Sequence, residues 1–518
     1  MTARLDRAAV EAFRSLVAQR LGLNFDDNRQ DFLEDVLRQR IESTGCHSFS
    51  SYQHLVFSSA AEMRAVAEQL TVCETYFFRY ADHFRAFAEA VVQERIRERD
   101  CRRQLRILSA GCASGEEAYS LAILIRDELP ELTPWNITIK GIDVNPSTVA
   151  KAVRAKYTAW SLRDTPANFR TRYFHNDGRD FALDSAVRSM VTFEERNLVA
   201  EDPLFWRRDA FDVVFCRNVT MYFTPEAAQS VIARIAQSLT AGGFLFLGHA
   251  ETLRGISQDF HLRHTHETFY YQRRDAHEAC VNTAFIPASP GNGSVPAPIP
   301  ALVEPNDSWF DVILRASEHI TSLTDKKTNQ IAEGAKDGGM QPPNPEAWQA
   351  AAWDRALAIE LLRKEKFAEA IELVHALPQR LKADPDVQLL LAVLLTNRGD
   401  LPEAERVCLG LLELDEMNAC AHYLMALCRE HAGDRTAAVE HDLAAVYLDS
   451  LFAMPHLHLG LMAKRSADVE TARRELGQAL TLLVREDASR ILLFGGGFTR
   501  EALSEFCRAE LRACGGHS

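Results

Sequence analysis

Hydrophobic positions in the first 90 residues recur at intervals of three and four, which is the spacing of an amphipathic helix. The pattern is clear in residues 10–21, 32–41 and 63–78. From about residue 105 to 271, short apolar runs typical of buried strands alternate with helical segments. This order predicts a helical cap over residues 1–90, followed by an α/β domain over residues 91–274.

Three of the predicted strands end in glycine-rich or polar sequence. LRILSAGCASG (105–115) runs into a glycine turn, ITIKGID (137–143) ends in Asp143, and FDVVFCRNVTMYF (211–223) carries Asn218 and Tyr222 near its end. Open α/β sheets bind their ligands outside the carboxyl ends of the strands. The three strand ends together predict a nucleotide-type site.

The residues around the glycine turn argue against a dinucleotide ligand. Glu116 and Glu117 stand where a pyrophosphate would need positive potential, and Asp143 lies 28 residues beyond Gly115, further than in the dinucleotide fingerprint. A ligand with a ribose and a cationic amino-acid end fits better, and S-adenosylmethionine is such a ligand. Asp143 is then expected to accept hydrogen bonds from the ribose hydroxyls. The alternative role for the two glutamates is a favourable interaction with the helix N-terminus.

The second half of the chain has a different pattern. Residues 275–346 are rich in proline, glycine, serine and asparagine, which predicts a flexible linker. Beyond it, small residues recur with a period of 34 at two positions of each repeat: Ala370, Ala404, Ala438 and Ala472, and twelve residues earlier Ala358, Ala392, Ala426 and Gly460. Such positions let paired helices approach closely, so residues 347–518 are predicted to form an all-α solenoid that resembles the tetratricopeptide repeat. A plain helical bundle is the alternative.

Charge and cysteine content narrow the class of protein. The net charge of −14 comes mainly from residues 275–518, which hold 36 acidic and 23 basic side chains. A basic nucleic-acid footprint is therefore not evident. The eleven cysteines are scattered without CxxC pairs, so neither a disulfide framework nor a metal site is expected. No signal peptide or membrane span is visible, and a cytoplasmic location is expected.

Six ordered segments resemble the glutamate O-methyltransferases that modify bacterial chemotaxis receptors. They are LTVCETYFFR (70–79), SAGCASGEEAYS (109–120), GIDVNP (141–146), ERNL (195–198), FDVVFCRNVTMYF (211–223) and GGFLFLGHAETL (242–253). The resemblance covers residues 1–274 and implies a Rossmann-like α/β methyltransferase fold. It further implies S-adenosylmethionine as methyl donor, S-adenosylhomocysteine as product, and the cytoplasmic domain of a methyl-accepting receptor as substrate.

The resemblance also implies roles for individual residues. Arg79 and Tyr222 are expected to orient the acceptor carboxylate or the cofactor. The expected cofactor-binding residues are Cys73, Thr75, Arg79, Gly111, Glu117, Asp143, Asn197, Leu198, Asn218 and Val219. Cys73 replaces an asparagine of the family pattern, and cysteine is a poor hydrogen-bond partner. No general base is expected, because a glutamate carboxylate is already ionised at neutral pH and the sulfonium methyl is already activated.

The protein partners are less closely specified. In the resembling family a basic second cap helix meets acidic receptor helices, so Arg29, Arg38 and Arg40 are the candidate docking residues; a solvated helix face is the alternative. Residues 165–195 are expected to form a small β-subdomain, which grips a receptor C-terminal peptide in some members. The repeats are expected to recruit or regulate through a protein partner.

Three other functions are compatible with parts of the pattern. A non-catalytic scaffold with a decayed methyltransferase domain is the main rival, supported by the cysteine at position 73. A methyltransferase for small molecules or nucleic acid is the second, and a dehydrogenase the third. Binding of S-adenosylhomocysteine would distinguish an enzyme from the non-catalytic scaffold.

Overall fold

The computed structural model describes residues 6–99, 103–274 and 355–515 of the 518-residue chain. The chain divides into two units, Met1–Val281 and Asn282–Ser518. The predicted linker, residues 275–346, lies outside the described residues. Within the described ranges no helix is long and apolar enough to cross a membrane. The nine cysteines of these ranges are all free thiols.

Helices form the N-terminal part of unit 1, as the three- and four-residue spacing predicts. They are α1 (Arg7–Leu21), α2 (Gln30–Thr44), α3 (Phe49–Ser58) and α4 (Ala60–Leu70), followed by α5 (Ala81–Ala86) and α6 (Val92–Arg99). Asp6 caps α1 by accepting a hydrogen bond from the amide of Ala8. The apolar faces of α1 to α4 meet in a core that contains Phe13, Leu33 and Tyr52. The predicted helical cap is therefore confirmed.

A seven-stranded mixed sheet forms the centre of the α/β part. Its strands are β1 (Gln104–Ala110), β2 (Asn136–Asp143), β6 (Val191–Glu195), β7 (Phe211–Cys216), β8 (Leu239–Leu247), β9 (Phe260–Thr265) and β10 (Thr268–Arg273), in the spatial order β6-β2-β1-β7-β8-β10-β9. The first five strands in that order are parallel, and β10 and β9 are antiparallel. The chain order reverses between β1 and β7, which is the point where such sheets bind ligands.

Helices flank the large sheet, and a smaller sheet stands beside it. The helices are α7 (Glu116–Glu128), α8 (Pro146–Arg154), α9 (Ala167–Tyr173), α10 (Ser185–Arg188) and α11 (Pro225–Ser238). The small antiparallel sheet has the order β3 (Lys156–Tyr157), β5 (Asp180–Leu183), β4 (Phe174–Asp177). The range predicted for the β-subdomain, 165–195, overlaps this sheet without coinciding with it. β3 lies before the predicted range, and the last five residues of the range form β6 of the large sheet.

The described part of unit 2 is helical throughout. Its helices are α12 (Arg355–Arg363), α13 (Phe367–His375), α14 (Gln379–Lys382), α15 (Pro385–Arg398), α16 (Leu401–Leu414), α17 (Ala419–His431), α18 (Arg435–Leu448), α19 (Ala453–Arg465), α20 (Val469–Leu483), α21 (Ala488–Phe494) and α22 (Arg500–Ala513). The seven alanines of the 34-residue period are fully buried. At the eighth position, an added Cβ on Gly460 would lie 2.7 Å from Cγ of Leu476. The predicted solenoid is confirmed, with the small residues where helices approach most closely.

One short helix departs from the repeat order. In α21 the ring of Phe494 lies 5.3 Å from that of Phe452 and 6.1 Å from that of Tyr423, and the Tyr423 hydroxyl donates to the carbonyl oxygen of Phe494 at 3.4 Å. The helix therefore packs against the first helices of successive repeats. The C-terminal helix α22 lies against α20, to which it is tied by a hydrogen bond from Arg473 to the carbonyl oxygen of Cys514.

Candidate functional site

A cleft opens at the carboxyl ends of β1, β2, β6 and β7, beside the first cap helix. It contains about 1190 Å³ of space between protein atoms, its open mouth included. The eleven residues predicted to bind cofactor or orient the acceptor all line it: Cys73, Thr75, Arg79, Gly111, Glu117, Asp143, Asn197, Leu198, Asn218, Val219 and Tyr222. Segments far apart in the sequence therefore converge on one site. Their individual roles in binding stay predictions.

The turn after β1 lines the cleft and packs closely against the loop after β7. Gly111 has a φ of +74°, and a Cβ at this position would overlap the side chain of Val219. Both the backbone conformation and the neighbouring side chain therefore require glycine. The absence of a side chain lets Val219 of the loop after β7 pack directly against the turn.

Asp143 is fixed in place at the end of β2. Its Oδ2 accepts a hydrogen bond from the amide of Ala113 at 2.9 Å, and its Oδ1 accepts one from the amide of Asn145 at 2.8 Å. Burial raises the pKa of this carboxyl, while the two amides act in the opposite direction. Because each carboxylate oxygen has about two acceptor sites, Asp143 keeps capacity for the adjacent hydroxyls of a ribose.

The two glutamates at the start of α7 have different environments. Glu116 is fully buried and accepts a hydrogen bond from the Ser114 hydroxyl at 2.7 Å. Glu117 lines the cleft, forms an ion pair with Arg217 at 3.2 Å, and accepts from the Ser109 hydroxyl at 2.7 Å. Burial raises the pKa of Glu117, and the charge of Arg217 opposes that effect. Of the two, only Glu117 is available to a ligand in the cleft.

Asn218 adopts the left-handed conformation, with a φ of +58°, in the loop that follows β7. The carboxylate of Glu251, which is only 4% exposed, organises this loop. It accepts hydrogen bonds from the amides of Asn218 (2.5 Å), Val219 (2.9 Å), Met221 (3.2 Å) and Gly248 (2.7 Å), and from the hydroxyl of Thr220 (2.7 Å). The loop that carries Asn218 and Tyr222 is therefore built around one buried acid.

Glu251 is not among the site residues predicted from the sequence. The sequence feature that could have indicated it is an acidic residue four positions after the apolar end of a strand, in the segment GGFLFLGHAETL. A buried carboxylate needs hydrogen-bond donors, and four of the five donors to Glu251 lie 30 to 33 residues earlier in the chain. Only the three-dimensional structure brings them together.

Arg79 and Cys73 face the cleft from the segment that follows the cap. The guanidinium of Arg79 donates to the carbonyl oxygen of Glu74 at 3.2 Å and forms no ion pair with a described residue. Cys73 is exposed, and its sulfur receives a hydrogen bond from Nδ2 of Asn145 at 3.4 Å. Although its surface is exposed, partial desolvation raises the pKa of the Cys73 thiol. Position 73 therefore presents a neutral thiol where the family pattern has an amide.

The candidate docking arginines are in different situations. Arg29 lines the cleft and lies 5.0 Å from the ring centroid of Phe25. Arg40 forms an ion pair with the buried Glu62 at 2.6 Å. Arg38 pairs with two acidic side chains of its own helix, Glu34 and Asp35. Their role in docking a receptor stays a prediction, and within the cap the charges of Arg38 and Arg40 are already compensated.

The sequence of the first 269 residues is similar to that of known proteins. Residues 8–71 match the family described as "CheR methyltransferase, all-alpha domain", and residues 73–269 match "CheR methyltransferase, SAM binding domain". The chain is 34% identical over 265 residues to "Chemotaxis protein methyltransferase 2" of Vibrio cholerae serotype O1, covering 50% of this chain and 91% of that protein.

A second relative matches both halves. The chain is 28% identical over 465 residues to "Probable biofilm formation methyltransferase WspC" of Pseudomonas putida, covering 90% of this chain and 96% of that protein. Among solved structures, MamA from Desulfovibrio magneticus RS-1 is similar to 31% of this chain, with 90% of its own length covered, 19% identity and a TM-score of 0.23.

Proposed function

Because the chain belongs to the CheR family of S-adenosylmethionine-dependent methyltransferases, we propose that it methylates glutamate side chains of a methyl-accepting chemosensory receptor. The products are glutamate methyl esters and S-adenosylhomocysteine. The observation that carries the proposal is the convergence of Asp143, Asn218, Arg79 and Tyr222 on one cleft at the switch point of the sheet.

The residues of the cleft fit the methyl donor. The fixed carboxylate of Asp143 accepts hydrogen bonds from two neighbouring ribose hydroxyls, and the turn at Gly111 lines the same cleft. Glu117 contributes negative charge on the side of the cationic amino-acid end, moderated by Arg217. Asn197 and Leu198 line the cleft beyond β6, where we assign the adenine. When bound, S-adenosylmethionine supplies an already activated methyl group.

The protein's contribution to the reaction is orientation. Arg79 has no carboxylate partner among the described residues, so its guanidinium is available to an acceptor carboxylate. Tyr222 stands on the loop held by Glu251 and lines the same cleft. The acceptor is ionised at neutral pH, and positioning a carboxylate in line with the methyl group therefore replaces acid–base catalysis. Since the substrate is a receptor's cytoplasmic domain, we propose a cytoplasmic location.

The test is methyl transfer to a purified cytoplasmic fragment of a methyl-accepting receptor. The full chain is incubated with methyl-labelled S-adenosylmethionine, and label released as methanol by mild base is counted, because carboxyl methyl esters are base-labile. At a subsaturating concentration of S-adenosylmethionine, we expect base-labile label with the wild-type chain and at least about tenfold less with Asp143→Asn. If the wild-type chain binds S-adenosylhomocysteine and yet labels no receptor carboxylate, the proposed substrate is wrong. If it binds no S-adenosylhomocysteine, the non-catalytic scaffold replaces the enzyme.

A further inference from the structure

Arginine and aromatic side chains alternate from the surface to the floor of the cleft. We call this set the arginine–aromatic ladder: Trp160, Arg163, Tyr76, Arg79, Tyr80 and Arg217. Its inner end is electrically compensated, since Arg217 is buried and pairs with Glu117. Its outer end is open, since the Trp160 side chain is 68% exposed.

Arg163 is held rigidly near that outer end. Its guanidinium carbon lies 3.6 Å from the ring centroid of Tyr76 and 4.3 Å from that of Trp160. One of its nitrogens also donates to the carbonyl oxygen of Trp160 at 2.9 Å. A guanidinium stacked on aromatic rings keeps the edge of its plane free for hydrogen bonds. Ordering this side chain therefore costs little when a ligand binds.

The charge of Arg163 has no counterpart in the described part of the chain. It forms no ion pair there, and the same holds for Arg79 on the opposite side of the ladder. Several other arginines of this unit, among them Arg38, Arg40, Arg106 and Arg196, each contact at least one carboxylate. Two uncompensated guanidinium groups therefore lie against one ring, Tyr76, which lines the cleft.

We propose that Trp160, Arg163 and Tyr76 form a docking surface for an acidic segment of the protein substrate, in which Arg163 binds a carboxylate that flanks the acceptor glutamate. The inference rests on the proposed function, because the acceptor is then itself a carboxylate at Arg79. Tryptophan, tyrosine and arginine are the residues that most often dominate protein interfaces. Their position at the mouth of the cleft sets the distance between the docked carboxylate and the acceptor.

Two of the three residues of this surface lie outside the cofactor cleft, so their effect on substrate binding can be measured apart from cofactor binding. Neither Trp160 nor Arg163 lines the cleft. Their replacement should therefore weaken binding of the protein substrate and leave the affinity for S-adenosylhomocysteine unchanged. A bidentate contact to a carboxylate also adds a salt-dependent term to binding.

The test measures binding directly, without turnover. A dye-labelled cytoplasmic receptor fragment is titrated with the full chain in the presence of saturating S-adenosylhomocysteine, and fluorescence anisotropy gives Kd. The variants are Arg163→Gln, Arg163→Lys and Trp160→Ala. Arg208→Gln is the matched control, because Arg208 is an exposed arginine outside the cleft. Calorimetry gives the affinity of each variant for S-adenosylhomocysteine, and melting temperatures confirm that each is folded.

We expect Arg163→Gln and Trp160→Ala to weaken fragment binding about tenfold, a loss typical of a central interface residue. Arg163→Lys should fall between Arg163→Gln and the wild-type chain, because it keeps the charge and loses the planar fork. The acidic residues of the fragment are then neutralised one at a time. For one of these altered fragments, Arg163→Gln and the wild-type chain should have the same Kd, which identifies the carboxylate that Arg163 binds. The proposal is overturned if Arg163→Gln binds the fragment as tightly as Arg208→Gln, or if the wild-type chain binds no fragment. Fragment binding that depends on Arg163 without ester formation would refute the proposed reaction and leave the docking surface standing.

Discussion

The carboxylate oxygen of Glu251 lies 2.5 Å from the backbone nitrogen of Asn218, which joins two segments 33 residues apart. The second oxygen of the same carboxylate accepts from the next loop residues, so one acid determines the conformation of the whole turn. An asparagine in the left-handed conformation costs free energy, and it persists only where its surroundings hold it in place. Glu251 supplies that restraint.

Replacing Glu251 with glutamine should disrupt the loop, although the two side chains have nearly the same volume. One oxygen becomes an amino group, and in either orientation this group faces at least two donors. Since an unsatisfied buried donor costs about 1–3 kcal/mol, we expect Glu251→Gln to lower the free energy of unfolding by roughly that amount. The affinity for S-adenosylhomocysteine should fall more than about tenfold, because the loop carries Asn218 and Val219.

Calorimetric titration with S-adenosylhomocysteine measures the second effect. Glu201→Gln is the control, because Glu201 is exposed and the substitution removes the same charge. Equal affinity in Glu251→Gln and the control would show that the loop does not depend on the buried acid.

Replacing Cys73 with asparagine should strengthen cofactor binding. An asparagine side chain can donate and accept hydrogen bonds in the cleft, whereas the neutral thiol does so weakly. One added hydrogen bond is worth about 0.5–1.5 kcal/mol, which corresponds to an affinity gain of about two- to tenfold. Cys73→Ser, which supplies only a hydroxyl, is the comparison. If Cys73→Asn binds S-adenosylhomocysteine no better than the wild-type chain, the ligand does not depend on a hydrogen bond from position 73.

The strand-end residues could be predicted from sequence because each lies next to a recognisable local pattern. Asp143 and Asn218 follow apolar strands, and the carboxyl ends of parallel strands meet at one edge. The 34-residue period predicted the buried alanines for the same reason, since a repeat places equivalent residues in equivalent contacts.

What the sequence could not predict depends on contacts between distant segments. Glu251 binds a loop 33 residues before it, and Arg163 stacks on Tyr76 from a segment 87 residues later. Arg217 compensates Glu117 across 100 residues. The packing of α21 against the repeats also depends on a contact between distant segments, because nothing in the local sequence ILLF predicts a contact with Tyr423. Contacts of this kind do not recur at a regular interval along the chain, so no sequence pattern predicts them.

The repeat unit should lose stability as the pH rises above neutrality. His458 is buried, with its Nδ1 2.5 Å from Asp442 and its Nε2 2.9 Å from Glu430. Burial alone lowers its pKa, but the two carboxylates outweigh that effect and raise the pKa of His458 to about 9. A raised histidine pKa contributes stability that is fully present below the ordinary value near 6.5 and is lost as the pH rises towards 9.

Scanning calorimetry of the full chain at pH 6.5 and pH 9 measures this change. We expect the transition of the repeat unit to weaken by on the order of 2 kcal/mol across this interval. His458→Gln should remove the pH-dependent part, whereas His375→Gln, an exposed histidine of α13, should retain it. An unchanged pH dependence in His458→Gln would assign the effect to another group.

The most direct test of the account is the affinity of the full chain for S-adenosylhomocysteine, measured by calorimetry beside Asp143→Asn. The fixed carboxylate is predicted to hold the ribose, so the wild-type chain should bind with micromolar affinity and Asp143→Asn at least about tenfold more weakly. Thr165→Ala, a buried substitution outside the cleft, should bind like the wild-type chain. Equal affinities for Asp143→Asn and the wild-type chain would contradict the assigned site, and no binding by either would contradict the enzyme.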